Sequence, residues 1–129
     1  MRVSKKDRTI RDKAILIREV VLKKKAIKAM ILDLRKISNL CDYFVLCSGD
    51  SQQQIDAIYE EVIKLSKEKN ILIHHKQNNS ASGWLVIDFF NVIVHIFSEE
   101  MRNFYDMEHL WKEATRVRVP KKIKLHTPQ

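Results

Sequence analysis

The chain has 129 residues, 45% of them hydrophobic and 31% charged, with two glycines and two prolines, which fits one globular domain and excludes disordered, collagen-like and linker-rich classes. The formal net charge of +8 is unevenly placed: residues 1–28 carry eleven Lys/Arg against three acids, residues 29–111 seven against twelve, and residues 112–129 six against one. The longest apolar run, Trp84 to Phe90, is interrupted by Asp88 and is far too short to span a bilayer, and the first residues lack the order of a secretory signal, so a cytoplasmic protein with no membrane partner is expected. The charge distribution sets the expected boundaries: a basic N-terminal extension over 1–9, an α/β domain over 10–115 and a basic tail over 116–129. Basic ends of this kind suit a polyanionic neighbour, because each neutralised phosphate releases counterions; contacts to nearby RNA through these termini are one reading, solubilising charge the other.

Ile10, Ala14, Ile17 and Val21 recur at spacings of four, three and four, which predicts a helix from about Thr9 to Lys25. Ala26 to Leu34 reads as a strand, and Asp42 to Cys47 as a second, mostly apolar one that pairs with it as a hairpin. Ser48-Gly49-Asp50-Ser51 is a turn in which Asp50 or Ser51 caps the next helix, with Gln53 or Gln54 placed to complete a capping box. Ile55, Ile58, Tyr59, Val62 and Ile63 form the clearest helical stripe in the chain, and Asn70 ends it. Ile71 to His75 is expected as a short strand and Lys76 to Ser82 as a loop. Trp84 to Phe89 and Val92 to Phe97 follow as two strands joined at Phe90-Asn91, with Asn91 the residue suited to a left-handed turn. Ser98 caps a last helix whose first turn holds Glu99 and Glu100, and which continues past Phe104 and Tyr105 towards Leu110 and Trp111. The expected architecture is a single-domain α/β fold, a mixed sheet of about five strands covered by helices.

No catalytic constellation emerges. Asp33, Asp42, Asp50 and Asp88 contain no Asp-x-Asp pair of the kind that holds two divalent ions for nucleotidyl transfer, and the Ser48-Gly49-Asp50 turn lacks a phosphate-cradling glycine loop and lysine. His74 and His75, as strand neighbours, point to opposite faces, and His95 suits a satisfied core or edge position better than a metal site. Cys41 and Cys47 read as reduced structural thiols. No cofactor and no metal are expected. What remains suits binding: Trp84, Val86 and Asp88 share one strand face, Leu85, Ile87 and Phe89 the other, and Arg102 and Tyr105 share a helix side. Aromatics beside an arginine are common anchors of protein interfaces, although Trp84, Phe104 and Trp111 would equally suit a core.

Three motifs then carry a resemblance. The run Asp42 to Gly49, the strands Trp84-Leu-Val-Ile-Asp88 and Val92-Ile-Val-His95-Ile-Phe97, and the helix Arg102-Asn-Phe-Tyr105-Asp-Met-Glu108-His-Leu-Trp111 together resemble the ribosomal silencing factors of the Iojap type, over about residues 10–113. The resemblance implies a nucleotidyltransferase-like fold without the catalytic acids, a non-enzymatic homodimer, and binding to large-subunit ribosomal protein fourteen, beside ribosomal RNA that the basic termini could contact, which keeps the small subunit from joining. It places Trp84, Asp88, His95, Arg102, Tyr105 and Trp111 at motif positions. The sheet edge near Trp84 and Asp88, with Arg102 and Tyr105, would form the partner surface, Trp84 anchoring it and Asp88 and Arg102 orienting it, and Trp111 and Phe104 would serve core or dimer contact. The alternative is a degenerate nucleotidyltransferase-like RNA-binding module acting in ribosome assembly.

Overall fold

The stripe between Ile55 and Ile63 folds as the helix Gln52–Glu68, and its ends show why it starts and stops there. At the start, the Ser51 hydroxyl accepts the Gln54 amide at 3.0 Å, while Gln54 Oε1 accepts the Asp50 amide, a capping box displaced by one residue. At the end, Asn70 adopts φ 54 and the amides of Asn70 and Ile71 return to the carbonyls of Lys67 and Ser66, the paired bonds of a Schellman close. Burying six apolar side chains from this helix supplies roughly 12 kcal/mol of gross stabilisation at about 2 kcal/mol each.

A computed structural model describes residues 5–119; residues 1–4 and 120–129, parts of the expected basic ends, lie outside them. In chain order the elements are α1 (Lys5–Lys23), β1 (Ile27–Asp33), β2 (Tyr43–Gly49), α2 (Gln52–Glu68), β3 (His75–Gln77), a short 3-10 turn (Ser80–Ser82), β4 (Trp84–Asp88), β5 (Val92–Ser98), α3 (Glu99–Tyr105), α4 (Met107–Leu110) and β6 (Thr115–Arg116). The strands form one mixed sheet in the order β3-β4-β5-β2-β1-β6. β2 and β5 are parallel, and the other neighbours are antiparallel.

Strand alternation divides the core in two. Tyr43, Val45, Cys47, Leu85, Ile87, Phe89, Val92, Val94 and Ile96 face α1 and α2 in the larger cluster. Phe44, Leu46 and Phe97 face the other way, under α3 and α4, where Trp84, Ile93 and Trp111 are only partly buried. One face of the sheet is therefore sealed by two long helices and the other thinly roofed by two short ones. No helix among the described residues is long and apolar enough to cross a membrane.

Five departures from the sequence reading have local causes. α1 begins at Lys5, not near Thr9, because the first turn contains no apolar residue through which periodicity could register. The third strand is His75–Gln77, all exposed, rather than Ile71 to His75: the Ile71 amide closes α2, and Ile71 and Ile73 pack against the core without pairing. In the β4–β5 turn it is Phe90, at φ 75, that takes the left-handed conformation, not Asn91. Asp88 Oδ1 accepts the Phe90 amide at 2.7 Å and holds it there, while the Phe90 ring lies 4.6 Å from that of His74. The last helix breaks at Asp106, whose φ of 47 and ψ of 54 split it into α3 and α4. Finally, Thr115 and Arg116 pair with Asp33 and Leu32 as a sixth strand, and Val117 is buried in the larger cluster.

Candidate partner-docking site

Residues from β4, β5 and α3 converge on the thinly roofed face. The Trp84 indole lies 4.4 Å from the Tyr105 ring and 5.4 Å, nearly parallel, from that of Phe97. Its Nε1–H donates to His95 Nδ1 at 3.1 Å across the strand pair. His95 is in turn edge-on to Phe44 at 4.6 Å, and Phe44 edge-on to Trp111 at 5.5 Å. A continuous aromatic layer thus runs from the open rim at Tyr105, 39% exposed, to Trp111, which is partly buried. Beside it a groove of about 320 Å³ is lined by Gln77, Asn79, Ser82, Trp84, Val86, Met101 and Tyr105.

Electrostatics within this layer are set by burial. His95 is 6% exposed, and desolvation lowers its pKa to about 4, so the ring is neutral and accepts through Nδ1. Its Nε2 is buried without a hydrogen-bond partner among the described residues.

The expected site residues divide by role. Trp84 and Tyr105 adjoin one another at the groove and are accessible. Asp88 shares Trp84's face but sits four residues along β4, about 13 Å away, where it holds the Phe90 turn. His95 supports the layer from within, and the partly buried Trp111 packs on Phe44 at its other end.

Arg102 departs from its expected role as an orienting contact. It is 3% exposed, with Nε on Glu108 at 2.9 Å, Nη1 on the Ser48 hydroxyl at 3.0 Å and Nη2 on the Lys28 carbonyl at 2.9 Å. With each guanidinium nitrogen engaged inside the fold, it cannot also reach a partner. It ties α3 to the start of α4 and both to the sheet, and so positions Tyr105. The Lys28 carbonyl is available because β1 carries a bulge between Ile27 and Met30, with Lys28 at φ 52. Nothing in the local residue pattern announces that bulge.

Phe104, paired with Trp111 in the sequence reading, parts from it at the Asp106 break. It is 74% exposed, while Trp111 packs on Phe44. Cys41 and Cys47 are free and buried, and burial pushes both thiols up to about 12, which makes them unreactive at neutral pH. No group of three or more His, Cys, Asp or Glu among the described residues could hold a metal ion.

A family model described as ribosomal silencing factor during starvation matches residues 7–129. A protein of Halalkalibacterium halodurans named ribosomal silencing factor RsfS is 35% identical over 94 residues, 73% of this chain and 80% of its own length. A crystal structure of a protein from Chromobacterium violaceum superposes with a TM-score of 0.76 at 25% identity, covering 92% of this chain and 97% of the other. A mouse protein named mitochondrial assembly of ribosomal large subunit protein 1 is 30% identical over 73 residues, 54% of this chain and 32% of its own.

Proposed function

This chain belongs to the ribosomal silencing factor family, and on that premise we propose that it docks on the large ribosomal subunit and represses translation by keeping the small subunit from joining. The partner is large-subunit ribosomal protein fourteen, and the contact is made by the rim of the aromatic layer, Trp84 and Tyr105 above the groove. The mechanism is occupation of space, with no turnover and no cofactor. The place of action is the cytoplasm, and the acting species is a homodimer.

The observation that carries this reading is the asymmetry of the sheet: one face sealed by α1 and α2, the other leaving Trp84 and Tyr105 in tilted ring contact and partly exposed beside an open groove. Aromatic pairs fixed by packing lose little entropy on binding and dominate interface energetics when desolvated. Support for the large subunit comes from the printed name of the mouse relative. Support for a silencing role comes from the names of the family and its bacterial member.

The test is sucrose-gradient sedimentation with separated ribosomal subunits. The expected result is co-migration with the large subunit and loss of the associated ribosome peak when small subunits are added. Co-migration with neither subunit, or normal pairing of subunits while the protein is bound, overturns the reading.

A further inference from the structure

Residues 115–119, the described start of the basic C-terminal segment, lie beside α1 and β1. β6 pairs with β1, the Val117 amide donates to the Ile31 carbonyl at 2.9 Å, and Val117 and Val119 pack into the cluster that also contains α1. The segment following Lys112 is thereby fastened alongside the N-terminal helix at one edge of the sheet. Between them lies a cleft of about 610 Å³ lined by Arg18, Ala29, Met30 and residues 115–119, including Arg116 and Arg118.

Because Val117 is held inward, Arg116 and Arg118 flank it as exposed residues, about 6.7 Å apart along an extended chain. Among the described residues no carboxylate pairs with either, whereas Arg18 is 3.2 Å from Glu19. This edge lies four strand positions from β4, about 19 Å at the usual strand spacing. It is therefore a surface separate from the Trp84–Tyr105 rim, and both can be engaged at once.

We propose that this edge, built from α1 and residues 115–119, is a docking surface for the phosphate backbone of RNA. The surface offers repeated arginine charge and, among the residues lining the cleft, no aromatic ring. Such a surface follows a polyanion's backbone without stacking on or reading its bases. RNA is chosen over other polyanions because the inference rests on the ribosomal reading above. The experiment is nevertheless independent of that reading, since it contains no ribosome and no ribosomal protein.

The full chain is titrated against a fluorescein-labelled single-stranded RNA of mixed sequence at several salt concentrations. The double variant Arg116→Gln/Arg118→Gln is compared with Lys64→Gln/Lys67→Gln on exposed α2 positions, which removes the same net charge. Thermal melting establishes that both are folded. Single-stranded binding loses about 0.7 in log–log salt slope per phosphate contact. The arginine variant should therefore lower the slope by about 1.4 and weaken binding on the order of 25-fold at about 0.1 M salt, while the α2 variant keeps the wild-type slope.

Equal loss in both variants means that net charge alone acts, and overturns the proposal. So does an unchanged slope in the arginine variant. Vesicles of phosphatidylserine and phosphatidylcholine form a second arm: retention on vesicles that depends on Arg116 and Arg118, without RNA binding, also overturns it.

Discussion

The Trp84 indole N–H donates to Nδ1 of His95 at 3.1 Å, joining β4 to β5 diagonally across the strand pair. This bond fixes the protonation state of His95, since Nδ1 can accept only when it carries no proton. It also fixes the plane of the indole against which Tyr105 rests. A buried imidazole thus supports an accessible aromatic pair.

A pH dependence follows from this arrangement. Burial lowers the folded-state pKa of His95 to about 4, below the roughly 6.5 of an unfolded histidine. Between these values the unfolded chain binds the proton and the folded chain does not, so stability rises with pH. His95 contributes fully above pH 6.5, and its contribution falls away as pH drops towards 4, a loss on the order of 3 kcal/mol. Thermal melts from pH 7 to pH 4.5 should show this decline, and His95→Gln, which can still accept from Trp84, should flatten it. An equally steep decline in the variant would assign the dependence to other groups.

Arg102 is expected to matter for stability rather than for contact. Arg102→Ala removes three hydrogen bonds and leaves the Ser48 hydroxyl and the Lys28 carbonyl without their donor, a loss of about 3 kcal/mol. Arg102→Lys should recover little of it, because one ammonium cannot span three acceptors fixed in a fork. Glu108→Gln should cost under about 1 kcal/mol, since that carboxylate is 40% exposed. Urea unfolding ranks the three, and an Arg102→Lys variant as stable as wild type would refute the brace.

Gly83 is the point at which the hairpin meets α3. Its φ is +77, and a Cβ there would lie 2.6 Å from the Ser98 hydroxyl, the group that caps α3 by accepting the Met101 amide. Gly83→Ala therefore combines left-handed strain with displacement of a cap, together about 2–3 kcal/mol. In a chain of this size that corresponds to a fall in melting temperature of roughly 10 °C. A fall of under about 3 °C would mean that the cap and turn relax at little cost.

The elements legible in the sequence are those whose residues repeat a period. α2 carries five stripe residues in nine positions, and β4 of the β4–β5 hairpin alternates between a buried and a half-buried face. Of the motif residues, Trp84, His95 and Tyr105 are brought together in the fold. Short and nonlocal features stayed hidden. A two-residue strand such as β6 has no period, and the expected boundary after residue 115 falls inside it. The role of Arg102 depends on a bulge at Lys28, 74 residues away, and no local pattern reports a contact so distant. Deleting residues 1–9 and 116–129 to test the basic ends would remove part of α1 and the buried Val117, so point substitutions are the cleaner probe.

Tyr105 offers the sharpest test of the docking face. It is 39% exposed and belongs to a short helix held by Arg102, so truncating it leaves the buried layer intact. Tyr105→Ala should cost about 1 kcal/mol of stability, the worth of one partly exposed aromatic pair. If the ring is an anchor of the interface, its loss should weaken binding to large subunits at least tenfold, because central aromatic anchors contribute more than about 1.4 kcal/mol. Leu72→Ala serves as the control: Leu72 is 76% exposed and lies between α2 and β3, outside the aromatic layer, so its binding should match wild type. Equal binding by the Tyr105 and Leu72 variants, both folded, would place the partner surface elsewhere on the molecule.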